Sequence, residues 1–163
     1  MDSSVVKQKT SPKDFFLHLL VIVTLYVSAV SFGTVLFQWI NIALPDPLDQ
    51  NYFYGAANAP RVLRDALSFL IIMFPVYVGP SVYLQKIYAR DATKRNLRVR
   101  RWLIYFTLFA AAIIILVSLA RLVNTFLNGE LTLRFGLKVL TVFFISGAIF
   151  SYNFWDVKKY QIV

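Results

Sequence analysis

Four long apolar runs, separated by short polar segments, leave this chain few ways to fold. Each is long enough, at about 20 residues or more, to cross the ~30 Å hydrocarbon core of a bilayer as a helix. Hydrocarbon offers no water to backbone N–H and C=O groups, so a segment dissolved in it must coil and satisfy its own. Composition agrees: 58% of the residues are hydrophobic and 15% charged, where a soluble domain is nearer a quarter charged. A chain of 163 residues also lacks the interior volume to hide so much apolar surface from water. The reading is an all-α integral membrane four-helix bundle, running up-down-up-down, in one domain over 1–163.

The spans fall at about 15–44, 65–88, 102–127 and 131–155, with tails 1–14 and 156–163 and a basic loop 89–101. Ser11-Pro12-Lys13-Asp14 is a helix start: serine suits the cap, proline the first turn and aspartate the positive end of the helix dipole. The first span stops at Pro45 and Pro47. Its polar residues Thr24, Ser28, Ser31, Thr34, Gln38 and Asn41 recur at steps of three and four, which is one helical stripe, and that stripe is expected to face other helices. An outer loop follows at 45–64, with Tyr52, Phe53 and Tyr54 at interface depth. The second span carries Pro75, Gly79 and Pro80. Each proline removes an N–H and crowds the carbonyl four residues earlier, so a kink or short unwinding is expected there. Asn128-Gly129-Glu130 forms a tight outer turn before the fourth span. Short links predict that the second, third and fourth helices are antiparallel neighbours.

The net charge of +9 is distributed unevenly. Of the 17 Lys and Arg, twelve lie in the N-terminal tail, the segment from Lys86 to Arg101 and the C-terminal tail. Five lie at the other side: Arg61, Arg64, Arg121, Arg134 and Lys138. The positive-inside rule then puts both termini and the basic loop in the cytoplasm, an N-in/C-in multi-pass protein. The charges flank apolar runs and form no basic face on a soluble domain, which argues against nucleic-acid binding. The basic loop suits anionic lipid headgroups, or it is the topology signal alone.

The motifs quoted so far resemble a known family. Ser11-Pro12-Lys13-Asp14-Phe15-Phe16, Phe37-Gln38-Trp39-Ile40-Asn41, Pro45-Asp46-Pro47-Leu48, Arg64-Asp65-Ala66-Leu67-Ser68, Gly129-Glu130-Leu131-Thr132-Leu133-Arg134-Phe135 and Trp155-Asp156 together are similar to a bacterial family of small four-span membrane domains classed as a domain of unknown function. The resemblance implies a four-helix membrane domain in a bacterial envelope, hence the inner membrane. It brings no activity, substrate or catalytic residue.

Candidate chemistry is sparse. Cysteine is absent and His18 is the single histidine, so thiolate sites, disulfides and a histidine-rich metal centre are excluded. No nucleophile–base pair, phosphate loop or paired carboxylate stands out, so no catalytic residue and no cofactor is expected, and the chain is read as non-enzymatic. Arg121 lies about 28 Å along the third helix from Trp102, and Lys138 about 10 Å along the fourth from Leu131, which places both in the outer leaflet. With Gln38, Asn41, Asp65, Ser68 and Asn124 at comparable depth, an outer polar cluster is expected, Asp65 serving as counter-ion. It is either an anion or lipid-headgroup site, or a structural Arg121–Asp65 pair with Lys138 snorkelling to water. His18, off the polar stripe, reads as an interfacial histidine with a water partner, or less simply as a proton relay. The Pro75/Gly79/Pro80 break reads as a fixed kink or as part of a transport site. Ala110-Ala111-Ala112 and Gly147-x-x-x-Ser151 offer small faces for close helix packing. Two functions follow: a scaffold or accessory subunit of a membrane assembly, alone or as a homo-oligomer, or a small transport or channel module built on the outer cluster.

Overall fold

The computed structural model describes residues 11–44, 52–91, 98–128 and 132–160. Four helices account for nearly all of them: α1 (Pro12–Ala43), α2 (Tyr52–Arg90), α3 (Arg98–Leu127) and α4 (Leu133–Tyr160). All four are long and apolar enough to span a membrane. At 1.5 Å per residue the 39 residues of α2 reach about 58 Å and the 32 of α1 about 48 Å. Both exceed a ~30 Å hydrocarbon core, so they tilt or project beyond it.

Helices α1, α2 and α3 begin earlier than the apolar runs imply. Helix α2 starts at Tyr52, so Tyr52, Phe53 and Tyr54 belong to a helix and not to a loop. Likewise α3 starts at Arg98 and takes Arg98, Arg100 and Arg101 out of the basic loop. Hydropathy marks where lipid begins; backbone hydrogen bonding continues into the interface. Pro45, Pro47, the Gly129-Glu130 turn and the loop residues Lys94 and Arg95 lie outside the described residues. At the start of α1, Pro12 occupies the first turn and Ser11 the cap position. Its side chain makes no capping bond; its carbonyl accepts from the N–H of Phe15 at 3.0 Å.

Helix α2 continues unbroken through Pro60, Pro75 and Pro80, so the expected interruption at Pro75, Gly79 and Pro80 does not unwind it. Each proline deletes one rung, and the remaining rungs hold the helix. Gly79 has nothing within 4 Å of the place a Cβ would take, and neither has Gly147. Gly147 is therefore no point of close helix approach, contrary to the small-face reading. That approach occurs at Gly33, where a Cβ would meet Ile145 Cδ1 at 3.4 Å.

Helix α1 is the hub. It packs against α2, α4 and α3, and α3 packs against α4, whereas the backbone of α2 comes close to neither α3 nor α4. This corrects the expectation that α2 and α3 are packed neighbours. The reason is compositional: α1 offers the small and polar positions that let backbones approach without a hydrophobic drive in lipid. Thr24, Ser28 and Ser31 of its stripe are buried. Thr24 Oγ1 donates to Leu20 O at 2.7 Å, as Thr34 Oγ1 does to Val30 O at 2.9 Å, so these hydroxyls satisfy themselves on their own helix. Ser28 Oγ is buried with no hydrogen-bond partner.

Two substitutions should separate these roles in thermal unfolding of the detergent-purified protein. Ser28→Ala removes an unsatisfied hydroxyl and is expected to keep or raise the midpoint. Gly33→Leu drives a side chain into Ile145 and is expected to lower it, by about 1–3 kcal/mol of overpacking.

Candidate functional site: a polar cavity at the basic end

The start of α1, the end of α2, the start of α3 and the end of α4 meet at one end of the bundle, where side chains from all four helices form a connected polar chain. His18, only 6% exposed, bonds through Nδ1 to the carbonyl of Asp14 at 2.6 Å. A carbonyl only accepts, so Nδ1 carries the proton, and in the neutral ring Nε2 is an acceptor. Nε2 lies 2.5 Å from the hydroxyl of Tyr88, which donates to it. The Arg100 guanidinium stands over the Tyr88 ring, 5.0 Å from its centroid, a cation–π contact. Arg100 Nη2 in turn pairs with Asp156 Oδ2. Thus α1 is tied to α2, α2 to α3 and α3 to α4 by side chains, although α2 stands apart from α3 and α4 as a backbone. Thr107, 1% exposed, adds an α1–α3 link by accepting from Tyr26 Oη at 3.2 Å.

The basic residues meet the helix dipoles in opposite ways at the two helix ends. Arg90 sits in the last turn of α2, the negative end of its dipole. Arg100 sits near the positive end of α3, an unfavourable place that Asp156 offsets.

Because α2 stands off, a cavity of about 370 Å³ remains between the four helices, walled in part by His18, Tyr77, Ser81, Tyr88, Arg100 and Asp156. Its walls are mainly apolar with a few convergent polar groups, the usual make-up of a ligand pocket of about 300–1,000 Å³. Farther along the bundle an apolar groove of about 520 Å³ lies between α2 and α4 with α1 as its floor.

The residues singled out in the sequence lie elsewhere. Gln38 and Asn41 do come together: Asn41 Nδ2 donates to Gln38 Oε1 at 3.0 Å. Their cation, however, is Arg134, which donates from Nε and Nη2 to Asn41 Oδ1 at 3.0 and 2.7 Å. Lys138 Nζ lies 6.0 Å from the centroid of the Phe37 ring. Asp65 and Ser68 on α2 and Arg121 and Asn124 on α3 are exposed, on helices whose backbones do not meet. Ser68 Oγ donates to Arg64 O at 2.9 Å, and no ion pair joins Asp65 to Arg121. Pro75 and Gly79 are exposed and Pro80 half-buried.

Sequence reasoning placed His18 at an interface with water, whereas it is buried against Tyr88. It counted Arg100 as a topology charge and left Asp156 in a tail. One signal was available: Asp156 is the single acid beyond the fourth apolar run and faces the end richest in arginine.

Together these features define an all-α, multi-pass membrane protein with a four-walled cavity at one end, mainly apolar and carrying a few convergent polar groups. The chain belongs to the family described as Domain of unknown function (DUF5671), which it matches over residues 14–152. That match takes in His18, Tyr88 and Arg100 and stops short of Asp156. No curated protein and no solved structure matches the chain.

The polar chain predicts a graded response in detergent unfolding. Tyr88→Phe loses the bond to His18 but keeps the ring under Arg100, and should cost about 0.5–1.5 kcal/mol. Asp156→Asn leaves a largely buried guanidinium without its counter-charge and should cost about 3 kcal/mol or more. At the opposite end, Arg134→Ala breaks two hydrogen bonds from a charged group and should cost about 1.5–3 kcal/mol. Arg121→Ala, on an exposed face, should stay within about 0.5 kcal/mol of the parent.

Proposed function

We propose that the protein is a non-enzymatic binding subunit of the bacterial inner membrane, with its basic end toward the cytoplasm, and that the cavity there holds a polar or amphipathic ligand. One observation carries this reading: the cavity is walled by all four helices, so whatever fills it couples α2 to α3 and α4, whose backbones do not meet that of α2. An accessory subunit that responds to a ligand requires that arrangement. The polar groups argue against chemistry. His18 has both ring nitrogens engaged, and Arg100 and Asp156 engage each other, an arrangement that suits holding a ligand better than transferring its protons. Transport gains little support, because the region between the two polar ends is the apolar groove of Leu25, Phe32, Phe74 and Ile149.

A scaffold role rests on a separate observation. Helix α2 packs on α1 alone, which leaves its Ile71, Ile72 and Phe74 side open for a second copy or a partner's helix.

Native mass spectrometry of mildly extracted protein tests the binding reading. The parent is expected to retain a non-covalent ligand, and Ser81→Phe, which fills the cavity from α2, is expected to lose it. A parent that carries no adduct in any mild detergent contradicts the reading.

A further inference from the structure

The cavity and the apolar groove adjoin at shared wall residues, and their order along the bundle is that of a lipid. Leu25 and Tyr77 belong to the walls of both. From that shared boundary the cavity runs toward the termini, to His18 on α1, Tyr88 on α2 and Asp156 on α4. The groove runs the other way, to Phe32 on α1, Leu70 on α2 and Phe144 on α4. All three helices thus pass from polar to apolar lining in the same direction, from the membrane surface toward its middle. A water-soluble ligand has no use for the second part, and a hydrocarbon has none for the first.

We infer that the two together form the site of one phospholipid of the leaflet at the basic end, with a zwitterionic headgroup of the phosphoethanolamine type in the cavity and an acyl chain in the groove. This rests on the binding-subunit reading and names its ligand. The charge pattern selects the headgroup. The cavity presents a cation and an anion side by side, Arg100 and Asp156, so it is neutral overall and complements a phosphate and an ammonium at once. Arginine's planar fork suits the phosphate oxygens. Asp156 engages Arg100 through Oδ2, which leaves its second oxygen to accept from an ammonium, and the Tyr152 and Trp155 rings lie in the same wall to add cation–π attraction. A purely anionic headgroup would set its charge against Asp156. The groove is apolar along its length and opens sideways between α2 and α4, whose backbones do not meet, which gives a chain its entry.

The test is competitive native mass spectrometry of the full chain with dioleoyl phosphatidylethanolamine and dioleoyl phosphatidylglycerol in equal amounts. The expected result is a single lipid adduct, with the ethanolamine lipid retained about tenfold over the glycerol lipid, or about 1.4 kcal/mol. Ala148→Trp, and independently Leu70→Trp, fill the groove and should abolish the adduct, while Phe109→Trp on the outer face of α3 should keep it. Glycerophosphoethanolamine, the head without chains, should fail to displace the lipid. Equal or reversed headgroup preference, an adduct that survives both groove variants, or displacement by the chainless head overturns the inference. If the retained ligand is no lipid yet is lost in Ser81→Phe, the lipid assignment falls and the binding-subunit reading stands. If nothing is retained, both fall.

Discussion

The structure depends on a relay of side chains at the end where α1 begins and α4 finishes. The Asp14 carbonyl holds the His18 proton, His18 accepts from Tyr88, the Tyr88 ring carries Arg100, and Arg100 pairs with Asp156. Lipid gives helices no hydrophobic reason to associate. A polar chain that crosses from α1 to α2 to α3 to α4 supplies one. Each member has its partner, which is what allows polar groups to be buried at all. Because α2 packs its backbone on α1 alone and reaches α3 through the Tyr88–Arg100 contact, space is left beside it. The cavity is therefore a consequence of how the bundle is tied.

Helix α1 makes this possible by serving different neighbours at different depths. Near the basic end it presents His18 to α2. At mid-height its Gly33 lets Ile145 of α4 approach to ordinary contact. At the far end Asn41 takes both hydrogen bonds from Arg134. Each end of the bundle thus has one arginine fixed by a polar partner from another helix, and the middle is left to small and apolar residues. A polar network at both ends with apolar lining between them fits a protein that holds an amphiphile better than one that conducts a polar solute.

The four helices were legible because hydropathy over twenty residues is a local signal, and so was the burial of Thr24, Ser28 and Ser31, since helical periodicity says which residues share a face. What periodicity cannot supply is register between helices. Asp65 and Arg121 lie at similar depth, yet α2 and α3 do not pack, so depth alone proposed a pair that does not form. Arg100 was read as a loop charge and Asp156 as a tail residue because apolar runs end before the helices do; once α3 is extended back to Arg98 and α4 on to Tyr160, both fall on helix faces and can meet. Gly147 and Gly79 show the same limit in reverse. A small residue permits close approach, but only the neighbour's position decides whether it is used.

The chain's single histidine makes the central claim open to one spectroscopic measurement. Nitrogen-15 NMR of histidine-labelled protein in micelles or nanodiscs yields one imidazole, whose two nitrogens report which is protonated and which accepts. The account predicts a protonated Nδ1 and an accepting Nε2, with Tyr88→Phe moving the Nε2 resonance and leaving Nδ1 nearly unchanged. A ring protonated on Nε2, or one that exchanges freely with water and ignores Tyr88→Phe, would contradict it.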